Sequence, residues 1–213
     1  MQALFLGVVV LAMASFFMFQ HGMRVNRDIA RATVRTLEET FRPQQTEYRN
    51  IGGTIGWHFT YILDEPITKV RGLFTLVPRQ AMFYMPIARL MGREDELHVS
   101  FYSARFRPVG EGHIVVPSRL KAWWAQIEDQ EEFDEVREER DGREFVILSH
   151  NRFVREKLQW FLADLSSVAG LRQFACFRRD DSYLLVLSLR EADLPEMINS
   201  VRKRIPQLRT HFA

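Results

Sequence analysis

The chain has 213 residues, of which 46% are hydrophobic and 26% are charged, and its net charge is +2. This is the composition of a folded globular protein, and it excludes a chain that is disordered throughout. The small net charge gives no argument for nucleic-acid binding, and the single cysteine, Cys176, excludes an intramolecular disulfide.

An unbroken apolar run occupies residues 3–19 and contains no charged side chain. With residues 20–23 it nearly spans a hydrocarbon core of about 30 Å, at about 1.5 Å of rise per residue. A cleaved signal peptide is the alternative, since Ala12 and Ala14 offer small residues at cleavage-site spacing. No Lys or Arg precedes the run, however, and it continues past that point. We therefore predict an uncleaved transmembrane anchor over residues 1–23.

Four arginines follow the apolar run, at Arg24, Arg27, Arg31 and Arg35, opposed only by Asp28. Basic residues close to a span tend to stay in the cytoplasm, so we expect the N-terminus outside and the folded domain inside. Steps of three and four residues place the arginines on one side of a helix. They are predicted to contact anionic lipid head groups. The alternative is a topology signal on a solvated stalk.

The predicted domain organisation has three parts. Residues 1–23 are the anchor, residues 24–50 a juxtamembrane helix and linker, and residues 51–213 a cytoplasmic α+β domain with a sub-boundary near 128–132. Pro43 ends the juxtamembrane helix, because proline lacks the amide donor and restricts the residue before it. The polar stretch 44–50 is interpreted as the linker.

The first part of the domain is predicted to be a β-hairpin and a further strand. Apolar residues alternate over 55–63, Asp64, Glu65 and Pro66 form a turn, and the chain returns over 68–77. The compact apolar segment 81–91 is a short helix that packs in the core or lines a lipid or protein groove. A strand follows at 97–102.

A helix beginning at Pro117, with Ser118 as its cap, carries two adjacent tryptophans, Trp123 and Trp124. Adjacent side chains on a helix point in different directions, so we expect one of the two at an interface with a second lobe, a partner or the membrane surface. The acidic stretch 128–141 lacks the spacing of a calcium-binding loop, and no metal site is predicted.

The C-terminal half repeats one order of elements, a hairpin and then a helix, over 133–168 and again over 171–204. Asp141 and Gly142 form the first turn, and Asn151 and Asp193 are predicted to cap the two helices. This pattern predicts a tandem ββα arrangement in a four-stranded antiparallel sheet with both helices on one face. The earlier strands extend that sheet or form a lobe of their own.

The search for catalytic chemistry gives no candidate. The six histidines are scattered without metal-ligand spacing, and there is no nucleophile elbow, phosphate-binding loop or dinucleotide turn. Cys176 has no flanking base and is expected to be a buried, inert thiol. No cofactor and no catalytic residue are predicted, and enzymatic activity is the less favoured interpretation.

The sequence as a whole predicts a single-pass membrane protein with an α+β cytoplasmic domain. Its expected role is to bind another protein, or a second copy of itself, at the membrane, and no nucleic-acid partner is expected. The acidic 128–141 stretch and the basic 24–35 and 202–209 stretches support an interaction role. Two alternatives remain open: a tethered domain that engages lipid, and a membrane-bound enzyme without a recognisable motif.

Overall fold

The computed structural model describes residues 1–81, 83–103, 105–124 and 133–209. The first element is α1 (Gln2–Phe41), one continuous helix of 40 residues. Its N-terminal half is exposed and is long and apolar enough to cross a membrane. Its C-terminal half buries one side at steps of three and four residues, namely Gly22, Asn26, Ala30, Thr33, Leu37 and Phe41. The helix ends where Arg42 adopts a left-handed conformation and its N–H bonds to Glu38 O.

Within the described residues, nine strands form one antiparallel sheet in the order β1-β2-β3-β4-β9-β8-β5-β7-β6. The strands are β1 (Gln45–Asn50), β2 (Gly56–Ile62), β3 (Lys69–Thr75), β4 (Glu96–Tyr102), β5 (Gly112–Val115), β6 (Asp134–Arg140), β7 (Arg143–Ser149), β8 (Leu171–Phe177) and β9 (Ser182–Ser188). The helices between them are α2 (Tyr84–Leu90), α3 (Pro117–Trp124), α4 (Arg152–Asp164) and α5 (Leu194–Arg204), and a 3₁₀ turn covers Ile205–Leu208. These elements confirm the predicted α+β class.

The sheet buries one face under long helices. On β4, the side chains of Leu97, Val99 and Phe101 are fully buried, while the alternate side chains on the other face are only half-buried. The buried set belongs to one core with residues of α1, α4 and α5. The Phe41 ring of α1 lies 6.1 Å from the Phe101 ring. We call the opposite side, which carries α3, the outer face.

The antiparallel register also defines two ends of the sheet. β2, β4, β7 and β8 begin at the end where β3, β5 and β9 finish. The connection from β3 to β4 contains α2, so we call this the α2 end. Gly22 of α1 lies against the backbone of Arg79 and Gln80 in that connection, so the exposed half of α1 leaves the domain at the α2 end.

The stretch 44–50, which was interpreted as a linker, contains a β-strand in the structure. Gln45–Asn50 forms β1, which pairs antiparallel with β2 along its whole length. All six residues are exposed, because β1 is an edge strand held by backbone hydrogen bonds and needs no apolar face. Alternation, the signal that identifies strands from sequence, is therefore missing here.

The tandem ββα expectation is confirmed in its elements and corrected in its sheet. The hairpins β6-β7 and β8-β9 are each followed by a helix, α4 and α5, with the side chains of Asn151 and Asp193 accepting hydrogen bonds at the caps. However, β5 lies between β7 and β8, so the two hairpins do not pair directly. The pairing of β4 with β9 joins the earlier strands to the same sheet. The expected sub-boundary at 128–132 lies outside the described residues.

Candidate functional site

The four arginines that were predicted to share one side of a helix lie on the surface of α1. Arg24, Arg27, Arg31 and Arg35 are all exposed, on the side of the helix away from the buried residues. Arg31 forms an exposed ion pair with Asp28, with an N–O distance of 3.4 Å, and such pairs contribute little stability. Contact of these guanidinium groups with lipid head groups stays a prediction.

A large groove lies on the outer face at the α2 end, with a volume of about 1310 Å³. We call it the outer groove. The segment from Met91 to Glu96 forms one wall, α3 forms the other, and the starts of β7 and β8 close it. Its lining combines apolar side chains with arginines and glutamates, namely Met91, Val116, Trp123, Leu184, Arg93, Arg119, Arg143, Arg172, Glu94, Glu96 and Glu144.

A network of charge-assisted hydrogen bonds crosses the floor of the outer groove. Arg172 on β8 donates two bonds to Glu94, one of them 2.8 Å long, and a third, also 2.8 Å, to Glu191. Arg143 donates to the same Glu191 at 2.9 Å. On the α3 side, Arg119 pairs with Glu96 and lies 3.6 Å from Glu94. Five separate segments of the chain are joined in this way.

The network fixes the charge of its carboxylates. Burial opposes the ionised form of Glu94, but the hydrogen bonds and positive charge of Arg172, with the charge of Arg119, outweigh it and lower the pKa of Glu94. Hydrogen bonds from Arg172 and Arg143 likewise lower the pKa of Glu191. Both groups are therefore carboxylates at neutral pH, so neither is suited to donate a proton as a general acid.

His98 also lines the outer groove, where its imidazole contacts a carboxylate. Its Nε2 lies 3.1 Å from Glu96 Oε2, and burial lowers its pKa, so the imidazole is neutral at pH 7. Such a pair can act as a general base when it contacts a nucleophile. In the part of the chain that the structure describes, the hydrogen-bond partner of His98 is the Glu96 carboxylate.

Trp123 and Trp124 both pack on an aromatic cluster at the outer face. The Trp123 ring lies 5.3 Å from the ring of His113, and the Trp124 ring lies 6.3 Å from that of Phe133. Both tryptophans are half-buried, so the two adjacent residues share one cluster instead of facing opposite surroundings. Part of each ring remains exposed, and the role of these tryptophans at an interface stays a prediction.

His113 is a buried residue that the sequence analysis did not single out. It is 0% exposed on β5, with Nε2 3.6 Å from Glu111 Oε1. Burial is the main cause that lowers its pKa, so it is a neutral ring within the aromatic cluster. The sequence signal for its burial was its position in the short apolar strand GHIV. Cys176 is buried on β8, where burial raises the pKa of the thiol, as expected of an inert cysteine.

The outer groove itself was not predicted, because its members are far apart along the chain. Glu94 and Arg172 are separated by 78 positions, and only the sheet order brings them together. Among the described residues, no group of three or more His, Cys, Asp or Glu side chains is placed to hold a metal ion. Comparison of the chain with protein-family models and with curated protein sequences finds no match.

Proposed function

We propose that this chain is a single-pass membrane protein that holds its α+β domain on the cytoplasmic side, where the outer groove binds another protein or a second copy of the chain. The observation that carries the proposal is the continuity of α1. Its exposed apolar half suits a bilayer, and the same unbroken helix packs into the core of the domain. A domain attached in this way has a fixed orientation relative to the membrane.

The composition of the outer groove supports a protein ligand. Arginine, tryptophan and methionine are the residue types enriched at protein–protein interfaces, and Arg119, Trp123 and Met91 line this groove together. The arginines are held in position by carboxylates, so little side-chain entropy remains to be lost on binding. The groove begins beside α2, so a bound partner would lie close to the membrane.

The orientation is tested by labelling single cysteines from outside the cell. Cys176 is 2% exposed, so an introduced cysteine is the reactive one. A membrane-impermeant maleimide should label Gln2→Cys in intact cells and should label Glu47→Cys only after lysis. Both positions are exposed. Labelling of Glu47→Cys in intact cells would show that the domain lies outside the cell. Absence of the protein from the membrane fraction would refute the anchor.

The binding role is tested by site-specific photo-crosslinking in intact membranes. A photoreactive residue at Ala122, which is exposed and lines the outer groove, should form an adduct of defined mass. The same residue at Arg152, exposed at the opposite end of the sheet, is the matched control and should not. Arg119→Ala should weaken the adduct at Ala122. No adduct at Ala122, or equal adducts at both sites, would contradict the proposal.

A further inference from the structure

The exposed half of α1 leaves the domain through a tight contact at Gly22. A Cβ at this position would lie 2.4 Å from the carbonyl carbon and oxygen of Arg79, which is closer than side-chain carbons approach backbone. One turn later, the fully buried Asn26 donates to Val77 O at 3.0 Å and accepts from Arg79 Nη1 at 3.0 Å. α1 is therefore fixed against the connection between β3 and β4.

The same connection is held rigid by Asp95. Its carboxylate accepts two hydrogen bonds from the Arg79 guanidinium, at 2.9 and 2.6 Å, and one from the Val77 amide at 2.8 Å. Residues 77–79 and 95 are thus joined, and α2 lies between them in sequence. Met85 of α2 lines one hollow with Phe17, Met18 and His21 of α1, so α2 lies beside the end of the apolar run.

Large apolar side chains are exposed at this same end of the molecule. Outside the N-terminal half of α1, the described residues include seven exposed large hydrophobic side chains, and five of these lie at the α2 end: Ile51, Phe83, Ile87, Leu90 and Met91. Leu90 is 90% exposed and Phe83 is 74% exposed. Exposed large hydrophobic side chains gathered at one end of a molecule are unusual on a free aqueous surface and mark a contact with a membrane or a partner.

The level of these side chains relative to α1 indicates whether they contact a membrane or a protein partner. The apolar run ends at Phe19, and the first arginine is Arg24, so the boundary between hydrocarbon and head groups falls between them. α2 lies beside Phe17 and Met18, at that level. The Arg93 guanidinium lies 5.7 Å from the Tyr84 ring centroid, and aromatic and basic side chains both favour this boundary region.

We propose that α2, with Phe83 and with Ile51 of the turn between β1 and β2, inserts into the interfacial layer of the bilayer that α1 spans. The inference rests on the proposed membrane anchorage. α1 and α2 are two parts of one membrane contact, and the Asn26–Arg79–Asp95 network holds them in register. The domain then lies on the bilayer through its α2 end instead of standing away from it on a stalk.

The test uses the full chain with Cys176→Ala, reconstituted in vesicles of phosphatidylcholine and phosphatidylglycerol. Single cysteines at Ile87 and Leu90 carry an environment-sensitive fluorophore, and lipids with a spin label at a known depth quench it. An interfacial helix buries its apolar face about 5–10 Å into the boundary between head groups and acyl chains, so shallow spin labels should remove more fluorescence than deep ones. Phe153→Cys, exposed at the opposite end of the sheet, should keep its fluorescence.

A label at Phe17 separates this inference from the anchorage itself. Quenching at Phe17 together with quenching at Ile87 and Leu90 supports the proposal. Quenching at Phe17 alone overturns it while leaving the anchor intact. Protection of Leu90 from an aqueous quencher without lipid quenching also overturns it, because a protein or a second copy then covers α2. No quenching at Phe17 would refute the anchor.

Discussion

Arg172 shows how one side chain organises the outer groove. Its planar guanidinium offers several N–H donors, and it binds Glu94 before β4 and Glu191 after β9. Only 13% of its side chain is exposed, so these hydrogen bonds compete little with water. The bidentate contact explains an arginine here, because the single ammonium of a lysine would not match the two oxygens of Glu94.

Replacement of Arg172 by glutamine is expected to destabilise the protein in a pH-dependent way. The pKa values of Glu94 and Glu191 are lowered in the folded state, so their stabilising effect is present above about pH 4.5 and is lost as the pH falls through the folded-state values. Because both carboxylates are partly exposed, we expect a loss of about 1–2 kcal/mol at neutral pH. Thermal unfolding in mild detergent at pH 7 and at pH 3.5 should show the difference from the parent protein shrinking at the lower pH.

Arg137→Gln is the control, since it removes an exposed pair with Glu144 on the β6-β7 hairpin. Its unfolding midpoint should stay close to that of the parent protein at both pH values. An Arg172→Gln protein that is destabilised equally at pH 7 and at pH 3.5 would show that the carboxylates do not carry the effect.

At the scale of single elements, the sequence predicts those structures whose signals are local. The hairpin turn at Asp141 and Gly142 and the helix caps at Asn151 and Asp193 depend on residues a few positions apart, and all are found. β1 was missed because an exposed edge strand does not alternate apolar and polar residues. The place of β5 between β7 and β8 and the outer groove depend on pairings across the sheet, which local patterns do not encode.

The cap of α4 gives an element-scale prediction. Asn151 Oδ1 accepts a hydrogen bond of 3.0 Å from the Val154 amide, which would otherwise lack a partner at the helix N-terminus. Asn151→Ala should lower the free energy of unfolding by about 1 kcal/mol. Asn151→Asp and Asn151→Ser should retain most of the stability, because both side chains can accept the same hydrogen bond. A chemical or thermal unfolding series that ranks alanine level with serine would contradict the capping role.

At the scale of the whole molecule, α1 determines how the domain meets its surroundings. A helix that changes from an exposed apolar half to a packed half without a break transmits its position directly, since each residue adds about 1.5 Å of rise and about 100° of rotation. In the proposed arrangement, the register between the apolar run and the Gly22 contact therefore sets the distance from α2 to the bilayer. A flexible stalk would make that distance independent of helix length.

Inserting Glu-Ala-Ala-Lys between His21 and Gly22 tests this coupling. Four residues in a helix add about 6 Å of rise and slightly more than one turn, so the domain keeps nearly the same side towards the span but moves away from it. The charged residues keep the insert out of the hydrocarbon. A fluorophore at Leu90 should lose its quenching by spin-labelled lipid, while one at Phe17 should keep it. The same insert between Arg179 and Asp180, in the turn between β8 and β9, should leave both signals unchanged. Equal quenching at Leu90 with and without the insert at His21 would mean that α2 reaches the bilayer independently of α1, and the rigid attachment inferred from Gly22 and Asn26 would be wrong.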